Sequence, residues 1–225
     1  MGLYQAIPTL NAEIAAWRDG HRHVAGVDEA GRGPLAGPVV AGAVILEPQF
    51  ARTWWGKLRD SKMLAAPERE RLAAMIRDEC AWGVGAASHE DIDNVGLIEA
   101  TKQAMRDAIA ALPCAPGMLL IDAVHLHEHR HRAIIHGDAL CASIAAASLV
   151  AKVHRDAMMD RYHDEHPLYG FEHNRGYATP GHKRALDEHG PCAIHRRLFA
   201  PVRAAMDAHG LPLDRGGFTR MKATA

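Results

Sequence analysis

Cysteine and long apolar runs are scarce in this chain, and each shortage removes a class of protein. The four cysteines, Cys80, Cys114, Cys141 and Cys192, are scattered with no Cys-x-x-Cys spacing. That argues against a zinc ribbon and against a disulfide framework, and reduced thiols in a cytoplasmic enzyme are the economical reading. No uninterrupted apolar stretch reaches the roughly 20 residues a membrane-spanning helix needs. Met1 to Leu10 lacks a basic head followed by an apolar core, so no secretory signal is expected. Basic charge is not in excess either: the net charge is −1 with histidines neutral. Any polyanion must therefore be met by a local patch, not by a global field.

What remains is ample material for a core. Hydrophobic residues make up 48% of the 225 and charged residues 24%, ordinary figures for one large globular domain. With no internal repeat or low-complexity linker, residues 1–210 are expected to form a single catalytic unit. Residues 211–225 are expected to be a frayed tail.

The chain is organised around Val24-Ala25-Gly26-Val27-Asp28-Glu29-Ala30-Gly31-Arg32-Gly33-Pro34. Val24 to Val27 read as a short strand buried on both faces. It delivers Asp28 and Glu29 to its C-terminal end, where open α/β sheets place their ligand crevice. Strand residues alternate between faces, so both acids are expected to share one site only if the strand ends or bends between them. Gly31 and Gly33 ease such a bend and let a substrate approach the main chain. Two adjacent carboxylates without a basic partner repel each other, and a hard divalent cation is the simplest remedy.

Along the chain, a short helix is expected over 10–17 and a second strand over 38–46, then the polar connector Asp60-Ser61-Lys62. Pro67 opens an amphipathic helix through about Cys80. A third strand is expected over 82–88, a helix over 97–112 closed by Pro113, and an apolar strand over 118–122 ending in Asp122. His125, His127, His129 and His131 follow at every second position. A surface loop rich in His and Arg is preferred there to a soft-metal site, since histidine clusters alone often mislead. A short strand over 133–136 leads to Gly137-Asp138, then a long helix from Cys141 to Asp164 that starts rich in alanine. Arg155 and Asp156 on it read as a solvated face. An aromatic and basic irregular segment over 167–180 precedes a helix capped by Thr179 and stopped by Gly190. A basic run at His195-Arg196-Arg197 leads to a last helix near 201–209. The order of elements favours a mixed α/β sheet.

Acids at strand ends or helix starts then number four, Asp28, Glu29, Asp122 and Asp138, on three separate elements. Four oxygen donors suit two magnesium ions about 4 Å apart, an arrangement used for in-line displacement at phosphorus. Joined to a glycine-rich loop and an aromatic-basic segment, they suggest chemistry on a polynucleotide.

These stretches resemble the bacterial ribonuclease HII family, the type 2 ribonucleases H. The matching motifs are Val27 to Gly37, Asp60-Ser61-Lys62, Leu120-Ile121-Asp122, Gly137-Asp138, Ala146 to Asp156, Tyr169-Gly170-Phe171 with Gly176-Tyr177, and His195-Arg196-Arg197. They fall in order over about residues 22–202. The resemblance implies an α/β ribonuclease H-like fold, a mixed β-sheet flanked by helices with a C-terminal helical region. It implies hydrolysis of the RNA strand of RNA/DNA hybrids and cleavage 5′ to single ribonucleotides in duplex DNA, leaving 3′-hydroxyl and 5′-phosphate ends. By position, Asp28, Glu29, Asp122 and Asp138 would bind Mg2+ or Mn2+. Gly31, Arg32 and Gly33 would contact the ribose at the RNA-to-DNA junction, and Tyr177 would pack on the next deoxyribose and help sense the 2′-hydroxyl. Lys62, Lys152, Arg175, Arg196 and Arg197 are candidates for the phosphate-binding patch. A monomer acting on RNA/DNA hybrid and ribonucleotide-containing DNA, without a membrane, is expected.

The chain departs from the family pattern in three places. Ala123-Val124 stands where relatives often carry Gly-Asn, Ala145 where they often have Ser, and Arg175 where they often have Lys. Ribonuclease HIII carries an extra N-terminal domain, and with 27 residues before Asp28 such a domain is not expected here. An inactive nucleic-acid-binding module would be expected to lack a metal ligand, and all four acids are here.

Overall fold

A computed structural model describes residues 7–48, 54–58 and 64–212. Five strands form one sheet: β1 (Val24–Ala30), β2 (Val39–Leu46), β3 (Ala81–Ala87), β4 (Met118–Asp122) and β5 (His131–Ile134). Their order across the sheet is β3-β2-β1-β4-β5. The β1–β2 and β2–β3 pairs are antiparallel, and β1–β4 and β4–β5 are parallel. The helices are α1 (Asn11–Arg18), α2 (Ala66–Glu79), α3 (His89–Val95), α4 (Leu97–Ala110), α5 (Gly137–Leu140), α6 (Ala142–Glu165), α7 (Phe171–Asn174), α8 (Pro180–His189) and α9 (Ala200–Ala208). Among the described residues no helix is long and apolar enough to cross a membrane.

Helices on both faces explain why β1 and β2 read as continuous apolar runs. Ala25, Val27, Ala43 and Ile45 pack with Ala104, Met105 and Ala108 of α4. Val44 and Leu46 point the other way, toward Ala146, Ala147 and Val150 of α6 and Leu72 and Ile76 of α2. The first half of α6, residues 142–151, is buried throughout, which accounts for its small residues. Gly26 is what allows that approach: a β-carbon there would stand 2.1 Å from the main-chain carbon of Ser143. Gly26→Ala must push α6 off the sheet, and we expect a loss of about 3 kcal/mol or more, at the upper end of overpacking costs. The denaturation midpoint measures it. At its start α6 is held by Glu13 of α1, buried, whose Oε1 accepts the Ser143 N–H at 2.7 Å.

Two local readings differ from expectation. Residues 89–95 form α3, opened by a capping box in which Ser88 and Asp91 exchange hydrogen bonds. The last strand lies at 131–134 instead of 133–136, so only His131 of the histidine series is in a strand. His125, His127 and His129 lie in the loop before it. The 60–62 connector and the tail beyond residue 212 lie outside the described residues.

Candidate active site

Asp28 and Glu29 both lie inside β1, which runs unbroken to Ala30. The expectation that the strand must end or bend between them is corrected by the pairing pattern. On the β2 side the register continues through Asp28↔Gly42 and Glu29↔Ala41. On the β4 side it stops at Val27↔Ile121. Past that point β1 has an open flank, and both carboxylates line one cleft of about 240 Å³ together with Asp122 and Asp138. Asp122 is the last residue of β4, and Asp138 sits in the first turn of α5. One hydrogen bond ties these two positions together, from the Gly137 N–H to Asp122 Oδ1 at 2.8 Å. Ala123, just past Asp122, has φ +48°, a left-handed backbone that glycine adopts without the steric cost. This is a position where the ribonuclease HII resemblance leads one to expect glycine.

The electrostatics are those of crowded acids. Asp28 is buried, and its pKa is raised well above the ordinary carboxylate value, first by burial and then by the charges of Glu29 and Asp122. Its carboxylate accepts the Glu29 N–H at 2.8 Å and a hydrogen bond from the Ser148 side chain on α6. Burial also raises Glu29, and the Arg32 guanidinium, 3.1 Å from its Oε1, opposes this. Glu29 Oε2 is buried with no hydrogen-bond partner among the described residues. An orphaned buried carboxylate oxygen, beside an acid whose pKa burial and like charges raise, fits a hard divalent cation with oxygen ligands.

Gly31 and Gly33 follow on the same wall, with Tyr177 also lining the cleft. Gly31 has φ +96°, and a β-carbon there would lie 2.0 Å from Arg155 Nε. Its neighbour Arg32 is exposed. Tyr177 reaches the cleft from the loop after α7, with 43% of its surface exposed.

The basic residues divide. Lys152 lines the cleft and donates to Asp156 Oδ1 at 2.6 Å, its pKa lowered by burial. Arg175 is turned to Asp156 and Asp160 on α6. Arg197 is exposed, its N–H donating to Asp93 of α3. Arg196 is not a surface residue at all: it is fully buried and donates to the main-chain carbonyls of Gly31, Arg32, Gly37 and Pro38. Nor is Arg155 on a solvated face; it is 1% exposed and bonds the carbonyls of Ala36, Pro38 and Arg175. Lys62 lies outside the described residues. Ser148 is the cleft residue that sequence reasoning missed. Its signal was its place inside the Ala146 to Asp156 motif, as a hydroxyl on an alanine-rich helix.

A solved structure with this fold is the ribonuclease H2 from Pyrococcus horikoshii OT3. It aligns with a TM-score of 0.69 at 26% identity, over 82% of this chain and 97% of that one. A sheet of this order carrying an acid-lined cleft is thus that of a ribonuclease H-class hydrolase.

The ribonuclease HII family profile matches residues 25–202. Ribonuclease HII of Bacillus licheniformis is 48% identical over 203 residues, 89% of this chain and 78% of the relative. That of Parvibaculum lavamentivorans is 55% identical over 185 residues, 81% and 68% of the two chains. The chain belongs to the ribonuclease HII family and is a ribonuclease H endonuclease.

Proposed function

We propose that this enzyme hydrolyses the RNA strand of RNA/DNA hybrids and nicks duplex DNA 5′ to a single embedded ribonucleotide, leaving 3′-hydroxyl and 5′-phosphate ends. The observation that carries the reading is the shared cleft, lined at once by four carboxylates, the Gly31–Gly33 loop and Tyr177. Asp28, Glu29, Asp122 and Asp138 would hold two divalent ions, Mg2+ or Mn2+. When bound, such ions activate water and neutralise charge developing at phosphorus. The chain's own groups do the rest. Ser148 and the Glu29 N–H orient the Asp28 carboxylate, and Arg32 holds Glu29 from the solvent side.

The exposed Gly33 main chain and the Tyr177 ring bound the place where a sugar would sit. Only a ribose carries the 2′-hydroxyl that tells the strands apart. Lys152 supplies positive charge inside the cleft. Lys62 and Arg197 are the further phosphate contacts we propose. Arg175 and Arg196 support the site from within. Residues 1–210 act as one monomeric unit in this reading.

The test is a duplex with one ribonucleotide, incubated with Mg2+ or Mn2+ and with a chelator. We expect one metal-dependent nick on the 5′ side of the ribonucleotide and none in the all-DNA duplex. Cleavage of both duplexes, or of neither, contradicts the proposal.

A further inference from the structure

The two walls of the proposed sugar pocket come from segments more than 140 residues apart in the chain, joined directly by the bond from Leu35 N–H to Gly176 O at 2.8 Å and otherwise through buried side chains. Two consecutive buried residues meet both. Ala36 and His195 form an isolated antiparallel bridge, with Gly37 N–H donating to Ile194 O at 2.9 Å and Arg196 N–H to Leu35 O at 2.8 Å. From this bridge the Arg196 side chain runs toward the loop. It bonds Gly31 O at 2.6 Å, Arg32 O at 2.9 Å and Gly37 O at 2.9 Å.

His195 runs the other way. Its Nε2 is 3.0 Å from Nε2 of His182, whose Nδ1 is 2.9 Å from the main-chain oxygen of Tyr177. We propose that the His195–Arg196 pair is a positioning joint that sets the gap between the Gly31–Gly33 loop and the Tyr177 ring. Arg196 holds the loop by its carbonyls, and His195 holds the Tyr177 segment through His182. This rests on the sugar-sensing reading of the cleft.

With both rings neutral, the hydrogen-bond chain takes one arrangement of protons. A carbonyl oxygen can only accept, so His182 Nδ1 carries a hydrogen and donates to Tyr177 O. In the neutral ring His182 Nε2 then holds a lone pair and accepts from His195 Nε2–H. His195 Nδ1 is left as an acceptor, and it receives the Cys192 N–H at 3.0 Å. Both rings are fully enclosed, His182 at 0% and His195 at 1% exposure. Burial holds both imidazoles toward the neutral form. A chain with a fixed direction and no solvent access does not slip. The gap it sets is narrow, since a β-carbon on Gly33 would stand 3.6 Å from Tyr177 Cε1.

Three variants and two readouts test the joint. His182→Gln keeps a polar group toward His195 but loses the bond to Tyr177, and Arg196→Lys keeps charge but not the fork that spans several carbonyls. Ile109→Ala on α4 is a packing control in the core, outside the cleft lining. For both joint variants we expect kcat at a lone ribonucleotide to fall about 10–100-fold, as for an ångström-scale misplacement. KM and the rate on a uniform hybrid should change much less. The control should lower the melting temperature and leave the ratio of the two substrates unchanged. Labelled tyrosine gives the second readout: the Tyr177 ring resonance should move in both joint variants and stay in the control.

An unchanged substrate ratio together with an unmoved ring resonance overturns the joint. If the parent enzyme itself ignores a lone ribonucleotide, the sugar-sensing reading falls. The ring resonance and the 15N tautomers of His182 and His195 then still decide the joint. A proton on His195 Nδ1 in the parent also overturns it.

Discussion

Asp28→Asn is expected to abolish cleavage, by about 10³-fold or more, while making the metal-free protein more stable. Both effects come from the same burial. Asp28 is 4% exposed, with Glu29 and Asp122 close enough to raise its pKa further. A carboxyl whose folded pKa lies above its unfolded value stabilises the fold while protonated, at low pH. That contribution is lost as pH rises through the folded pKa. Asparagine is never charged, and its oxygen still accepts from the Glu29 N–H and from Ser148.

In chelator, the melting temperature of the variant should therefore exceed the parent's, by a margin that widens as pH rises from 4 toward 8. Added Mg2+ or Mn2+ should close the margin by stabilising the parent selectively, because an ion that binds only the folded state adds stability. Activity moves the opposite way. Removing a ligand removes the several kcal/mol that a metal contributes at phosphorus, and each 1.36 kcal/mol is about a tenfold rate. Hybrid binding, if it rests on the proposed phosphate contacts, should survive. Thermal scans across pH with and without metal, and single-turnover cleavage, make the comparison. Retained turnover would remove Asp28 from the metal set, and a less stable variant in chelator would contradict the burial argument.

Much of the site was legible because its signals are local. An apolar run ending in two acids, another ending in Asp122, and an acid after Gly137 are all read within a few residues. Strand type followed from the same runs, and Pro67, Thr179 and Gly190 marked helix ends by their backbone chemistry. The misreadings came from where local pattern carries no information. Glu29 belonged on the far face by alternation, yet it lines the same cleft as Asp28, just past the point where β4 pairing stops at Val27.

Arg155 and Arg196 read as surface charge, since arginine is seldom buried without partners. All their partners but the Arg175 carbonyl are main-chain carbonyls of residues 31–38, reached across more than 110 residues of chain. No periodicity announces such a contact. The helix at 89–95 was within reach of sequence, because Ser88 and Asp91 have capping-box spacing. Its acid-rich, weakly apolar composition hid it.

Tyr177→Ala is expected to lower cleavage at a lone ribonucleotide by about 100-fold while leaving stability within about 0.5 kcal/mol, the usual range for a surface substitution. The ring is 43% exposed, so little apolar area is lost from the core when it is removed. What holds the segment is its main chain. Tyr177 N–H donates to Asn174 O at 2.8 Å, and Tyr177 O accepts from Thr179 N–H at 2.7 Å and from His182. An alanine keeps all of these bonds, so the loop stays in place and only the wall opposite Gly33 disappears.

A ring that packs on the neighbouring sugar in the transition state, but adds little to ground-state binding, should show its loss in kcat with KM nearly unchanged. Tyr177→Phe then separates the ring from its hydroxyl. If packing is the main contribution, phenylalanine keeps most of the activity. A uniform hybrid offers many ribose registers and should tolerate both changes better. Single-turnover rates on matched duplexes, one with a single ribonucleotide and one fully hybrid, give the comparison. Equal losses on both substrates would make Tyr177 a general binding residue. No loss on either would take it out of the reaction altogether.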